Sequence, residues 1–167
     1  MIQSRRERRW SNLAGFTAVL GLLGYALFAQ HVQGYEACPL CIFQRVAMAG
    51  VGIVLLIAGL HSPRGVGARV YAVLGVLAAG IGSGVAGRHV YLQNLPEDRI
   101  PECGPGLDYL VDAFAPFEVL RMVLTGSGEC AEVNWAFLGL SMPAWVLIWF
   151  VALGALAVYA NGSRLTS

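Results

Sequence analysis

The stretch EACPLCIFQRVAMAGVGIVLLIAGL, Glu36 to Leu60, sets two cysteines three positions apart just before an apolar run and leaves Arg45 inside that run's first turns. A membrane-crossing helix needs about 20 residues. The run reaches that length only if it takes in Ile42 and Phe43, which brings Cys38 and Cys41 to the membrane surface. A dithiol and a permanent cation at the edge of a hydrocarbon layer need a chemical reason, since a charge there is tolerated only where it reaches the interface or faces protein.

The rest of the chain agrees with a membrane setting. Of its 167 residues, 57% are hydrophobic and 13% charged, and the mean hydropathy is +0.64, which is wrong for a soluble globule. Four apolar spans are predicted, at about residues 13–30, 42–60, 70–92 and 143–160. A single integral membrane domain over residues 1–167 is expected. RRERR before an apolar run also suits a secretory signal, but Leu27 would fill the small-residue position of its cleavage site, so the run is kept as a span.

Basic residues fix the expected orientation. Arg5, Arg6, Arg8, Arg9, Arg64, Arg69 and Arg164 all fall on one face of a four-span arrangement, and arginines beside spans stay cytoplasmic. Both termini and the loop at about 61–69 are therefore predicted inside, and the loops at about 31–41 and 93–142 outside. The outer loops hold nearly all the acidic residues. A net charge of +1, with seven of its eleven arginines at the cytoplasmic edges, argues against a nucleic-acid partner.

The fold class that follows is all-α: an antiparallel four-helix transmembrane bundle whose long outer loop carries short amphipathic helices. In GLDYLVDAFAPFEVLRMVLTG, Leu107, Leu110, Val111 and Phe114 recur at helical spacing, as do Phe117, Leu120 and Leu124, with Pro116 between the two sets. These helices either lie on the membrane surface or cap the bundle. In the third span, Gly80 and Gly84, and likewise Ala79, Ser83 and Gly87, are expected to let helices approach closely. Trp145 and Trp149 at the outer end, with Trp10 and Tyr159 at the inner end, suit interfacial belts.

The chain has four cysteines, Cys38, Cys41, Cys103 and Cys130, all on the predicted outer side, where disulfides persist. The expected pairs are Cys38 with Cys41, and Cys103 with Cys130 within the long loop. Zinc sites usually show two CxxC knuckles or closely spaced histidines, so no metal site is predicted. Purely structural disulfides remain an alternative, and the setting of the CxxC weighs against it. The second span enters from outside, so its N-terminus, with free N–H groups and the positive end of the helix dipole, meets the surface at Pro39 to Ile42. A thiolate placed there is stabilised. Arg45, four residues beyond Cys41, lies one turn deeper on the same face and can stabilise a thiolate or a bound anion. The third span ends in GRHVYLQNLP, which puts Arg88 and His89 near the same depth; His89 is a candidate donor to an oxidant held between the second and third spans. His31 is a weaker candidate, and His61 falls on the inner side.

Four blocks in this order carry a resemblance: CPLCIFQR at Cys38 to Arg45, RHVYLQ at Arg88 to Gln93, PECGPGLDYL from Pro101, and ECAEVNWAFLGLSMPAW from Glu129 to Trp145. The chain resembles, over nearly its whole length, the DsbB family of bacterial inner-membrane disulfide bond formation proteins. The resemblance implies a quinone-dependent thiol oxidase that reoxidises a periplasmic, DsbA-like thioredoxin-fold partner. It implies that Cys103 and Cys130 form the disulfide the partner attacks, that Cys38 and Cys41 form the pair in contact with quinone, and that Arg45 and His89 lie at the quinone site. Ubiquinone is the expected acceptor, with menaquinone as the alternative. Two other classes compete: a non-catalytic membrane scaffold with structural disulfides, and a four-helix quinone reductase of the vitamin K epoxide reductase type. The lack of a fused thioredoxin-like domain and the stretch from Trp135 to Trp145 favour the first reading.

Overall fold

The computed structural model describes residues 4–100 and 107–162. Among these described residues, four helices are long and apolar enough to cross a membrane: α1 (Arg5–His31), α2 (Pro39–His61), α3 (Val66–Gln93) and, after a long loop, the helix at Met142–Asn161. Between α3 and that last helix lie α4 (Leu107–Ala113), α5 (Pro116–Thr125) and a small hairpin of β1 (Ala136–Phe137) and β2 (Leu140–Ser141), so the last helix is α6. The helices overrun the predicted apolar spans at both ends by one to eight residues. Ser4 and Glu7 form a reciprocal capping box at the start of α1. Pro39 takes the first turn of α2, and Ser62, in left-handed conformation at φ 43°, ends it.

The core joins Val19 of α1, Met48, Val51 and Leu55 of α2, Ala79 and Ala86 of α3, and Phe150, Leu153 and Ala157 of α6. The face of α3 that packs on α6 is not the one the glycine spacing suggested. A Cβ on Gly82 would stand 2.2 Å from the Phe150 ring, and one on Gly75 2.6 Å from Ala157. A Cβ added to Gly80, Gly84 or Gly87 would meet nothing within 4 Å. Gly75, Ala79, Gly82 and Ala86 recur at three- and four-residue steps and so form one stripe, to which Gly80 and Gly84 do not belong.

At the end of the bundle that carries the chain's basic start, Arg8 donates to the Pro63 carbonyl (2.8 Å), tying α1 to the α2–α3 turn. Asn12 and Asn161, both buried, exchange amide hydrogen bonds of 3.1 and 2.8 Å between α1 and α6.

At the other end the long loop caps the bundle, one of the two arrangements the sequence left open. Val119 and Val123 of α5 and Leu110 of α4 bury against Leu40, Val85 and Leu92, capping the bundle. Phe117, Leu120 and Leu124 stay exposed, an outward apolar face suited to lipid. Arg88 donates to the carbonyls of Leu124 (3.0 Å) and Thr125 (2.8 Å), the last turn of α5, where a cation also meets the negative end of the dipole. The hairpin departs from an all-α expectation. Its two-residue turn places Leu138 at φ 53° and Gly139 at φ 78°, the pattern of a tight hairpin turn. Trp145 donates to the Phe137 carbonyl (3.0 Å) and faces the Phe137 ring, so it anchors the hairpin, whereas Trp10, Trp149 and Tyr159 stand exposed as belt residues do.

Candidate functional site

Cys38 is the N-cap of α2, and its sulfur accepts from the Cys41 backbone N–H at 3.4 Å. Pro39 in the first turn turns the chain so that Cys41 sits just inside the helix with its sulfur 3.0 Å from that of Cys38; both are free thiols. One N–H of the α2 N-terminus, that of Cys41, thus meets a CxxC sulfur.

Cys130 reaches the same point from 92 residues further along. The 3-10 turn Gly128–Cys130 seats its buried thiol among Leu40, Val85, Leu92, Val119 and Val123. Gly126 permits this approach: at φ +87° it has backbone freedom a side chain would lose, and a Cβ there would stand 2.3 Å from Leu92. The Cys130 thiol is pushed well above its ordinary pKa by its hydrogen bond to Cys38 and by burial. Cys103, its expected disulfide partner, lies outside the described residues.

His89 is buried, with Nε2 3.8 Å from the Cys38 sulfur and Nδ1 2.9 Å from the Gln44 side-chain nitrogen. An amide nitrogen only donates, so Nδ1 accepts and Nε2 carries the proton, which points at Cys38. Sulfur and nitrogen atoms of Cys38, His89 and Cys130 all lie within 4.8 Å of one another.

Arg45 turns the other way. Its guanidinium donates to the Gln30 side-chain oxygen and to the Ala26 carbonyl (3.2 Å), both near the end of α1. Cys41, Gln44 and Arg45 line a narrow cleft of about 50 Å³ whose other walls are Leu22, Leu23 and Ala26 of α1 and Met142, Pro143 and Val146 of α6. This cleft lies between α1, α2 and α6, and His89 is not among the residues that line it. His31 is exposed on the surface, and His61 pairs with Tyr71 at 3.1 Å on α3.

Two polar side chains here were not singled out from the sequence. Gln44 sits beside Arg45 inside an apolar span, a signal that was present and overlooked. Gln30, at the end of the first span, looks like an ordinary boundary residue, and only the fold gives it Arg45 to hold.

A four-helix membrane protein in which a thiol from the loop between α3 and α6 meets a CxxC at a helix N-terminus defines the class of membrane dithiol–disulfide proteins. The family model for disulfide bond formation protein DsbB matches residues 8–160, and the chain belongs to that family. It is 52% identical over 150 residues to a disulfide bond formation protein B of Xanthomonas campestris pv. campestris, covering 89% of this chain and 87% of the relative. It is 47% identical over 158 residues to the Nitrosococcus oceani protein of the same name (95% and 94% covered) and 49% identical over 145 residues to that of Hahella chejuensis (87% and 88%). Family and helices together make it a multi-pass membrane protein of disulfide bond formation.

Proposed function

We propose that this protein oxidises a periplasmic thioredoxin-fold dithiol partner of the DsbA kind at the bacterial inner membrane and passes the electron pair to ubiquinone, with menaquinone as the alternative acceptor. What carries the reading is the position of Cys38 between two other thiols: Cys130 on one side, and on the other Cys41, which opens onto the cleft held by Arg45.

The exchange steps balance as follows. A partner thiolate attacks Cys103 in the Cys103–Cys130 disulfide, forming a mixed disulfide and releasing the Cys130 thiolate. Cys130 attacks Cys38 in the Cys38–Cys41 disulfide, and the Cys41 thiolate leaves into the cleft beside Arg45. The second partner thiolate resolves the mixed disulfide, leaving the partner oxidised and Cys103 as thiolate. Cys103 then attacks Cys130 in the Cys38–Cys130 bond, which restores the loop disulfide and releases Cys38. Each step forms one sulfur–sulfur bond and breaks one. The Nε2–H of His89 stabilises Cys38 as it leaves, and Gln44 fixes the tautomer that lets it do so.

The cleft fits a quinone head in kind: its walls are mostly apolar and Arg45 retains guanidinium N–H groups for a carbonyl oxygen. At about 50 Å³ it must widen to admit one, by movement of the α1 and α6 side chains that close it. Quinone, when bound, supplies a two-electron oxidant that takes the pair left on Cys38 and Cys41 together with two protons.

The test mixes purified protein with a reduced thioredoxin-fold dithiol and a ubiquinone analogue and follows quinone absorbance. Quinone reduction by the wild type that disappears in Cys41→Ala supports the proposal. No quinone reduction, or full activity in Cys41→Ala, refutes it.

A further inference from the structure

The spacing of cysteines along the chain gives no reason to expect a metal, yet the fold assembles two sulfurs and an imidazole nitrogen from three separate elements: Cys38 at the start of α2, His89 in α3 and Cys130 in the 3-10 turn. The geometry points to a binding site for a thiophilic divalent ion of the Zn²⁺ or Cd²⁺ kind, formed by Cys38, His89 and Cys130 when both thiols are reduced. Zinc binds thiolate at about 2.3 Å and imidazole at about 2.0 Å, so the two donors of a tetrahedron stand roughly 3.5 Å apart. The observed separation of 3.8 Å between the Cys38 sulfur and His89 Nε2 needs only a small inward movement. Three protein donors leave a fourth position that water can fill.

The surroundings suit such an ion. Three borderline-to-soft donors with no carboxylate select zinc-like ions over magnesium or calcium. A histidine bound through Nε2 must carry its proton on Nδ1 and needs an acceptor there. Gln44, 2.9 Å from Nδ1, supplies one by turning its amide to present oxygen in place of nitrogen. Binding is not a redox step: the Cys38 and Cys130 thiols each lose a proton to solvent as their sulfurs bond the ion, so at least two protons appear per ion.

The consequence for turnover rests on the relay proposed above. An ion at this position holds Cys38 and Cys130 as thiolates and blocks both the disulfide between them and that between Cys38 and Cys41. It would capture the enzyme in its fully reduced state, which accumulates when the oxidant is scarce.

The test uses the full chain in detergent, reduced and without quinone or partner, so its outcome is separate from that of the quinone assay. Cys103→Ser serves as the parent, leaving three cysteines, and is titrated with Cd²⁺ while thiolate-to-metal absorbance and proton release are read. One ion per chain with at least two protons released is expected, and both His89→Ala and Cys130→Ser should weaken binding by more than the ~10-fold that loss of an outer-shell partner costs. In the wild type, Zn²⁺ should slow the reaction of Cys130 together with Cys38 with N-ethylmaleimide, read as a rate against the metal-free protein because Cys130 is buried, reversibly with a chelator and without dependence on any variant folding. Absence of saturable binding, parent-like affinity in either variant, or an unprotected Cys130 would overturn the site, the last two because the CxxC alone would then be holding the ion.

Discussion

Cys130 is the residue on which the chemistry turns, and its surroundings make it a poor nucleophile until something releases it. Its hydrogen bond to Cys38 and its burial favour the neutral thiol in the folded protein. Because its folded pKa lies above the unfolded value, this group's share of stability is complete below the ordinary cysteine pKa of about 8.5 and is lost as pH rises beyond it. Thermal unfolding of the reduced protein should therefore move to lower temperature above about pH 8.5, and less so in Cys130→Ala; equal pH dependence in the two would remove this explanation. Arg45 answers the question posed by a cation at the hydrocarbon edge, since two α1 groups hold it beside Cys41. Arg45→Met should raise the apparent quinone KM by about tenfold, in the range for a lost charged hydrogen bond, while the rate of thiol exchange with the partner stays near that of the wild type. An unchanged KM would deny Arg45 that role. At this scale the sequence was legible where local order suffices: CPLC before an apolar run places both sulfurs at a helix N-terminus without any knowledge of the fold. The orientation of His89 was not legible, because it depends on Gln44, which belongs to a different helix.

Among the elements, α2 could be read from its own residues, while contacts between helices could not. The small residues of α3 announce close packing but not which of them face α6; only Phe150 lying over Gly82 decides that. The hairpin escaped notice because two-residue strands show no alternation and its turn uses Leu138 where asparagine or aspartate is more usual. Asn12 and Asn161 lie 149 residues apart and hold α1 to α6 by a reciprocal amide pair. Inside a bilayer such bonds contribute on average ~0.6 kcal/mol and at most ~1.7. Asn12→Ala and Asn161→Ala should each destabilise by about that amount, and the double variant by less than the sum, as measured by denaturation in mixed micelles. Additive losses would mean that the two amides do not act as a unit.

For the molecule as a whole, the proposed function requires a water-facing disulfide and a membrane-facing cleft to meet at one end of the bundle. The structure puts Cys38, Cys41 and Cys130 at one end and the Arg8–Pro63 tie at the other. Positive charge on the second end is expected to hold it in the cytoplasm. Single cysteines introduced on a cysteine-free background at Glu36 and at Arg64 should be labelled by a membrane-impermeant maleimide from the periplasmic and the cytoplasmic side respectively; the reverse pattern would place the redox loops in the wrong compartment. The meeting of Cys130 with Cys38 across 92 residues is what no spacing in the sequence discloses, and every proposed electron transfer passes through it. It can be measured directly in the double variant Cys41→Ser/Cys103→Ser, which retains Cys38 and Cys130 alone, by treatment with diamide and mass spectrometry of the intact and digested chain. Rapid, near-stoichiometric formation of an intramolecular Cys38–Cys130 disulfide is the expected result; two thiols that stay free, or that bond only between chains, would contradict the relay.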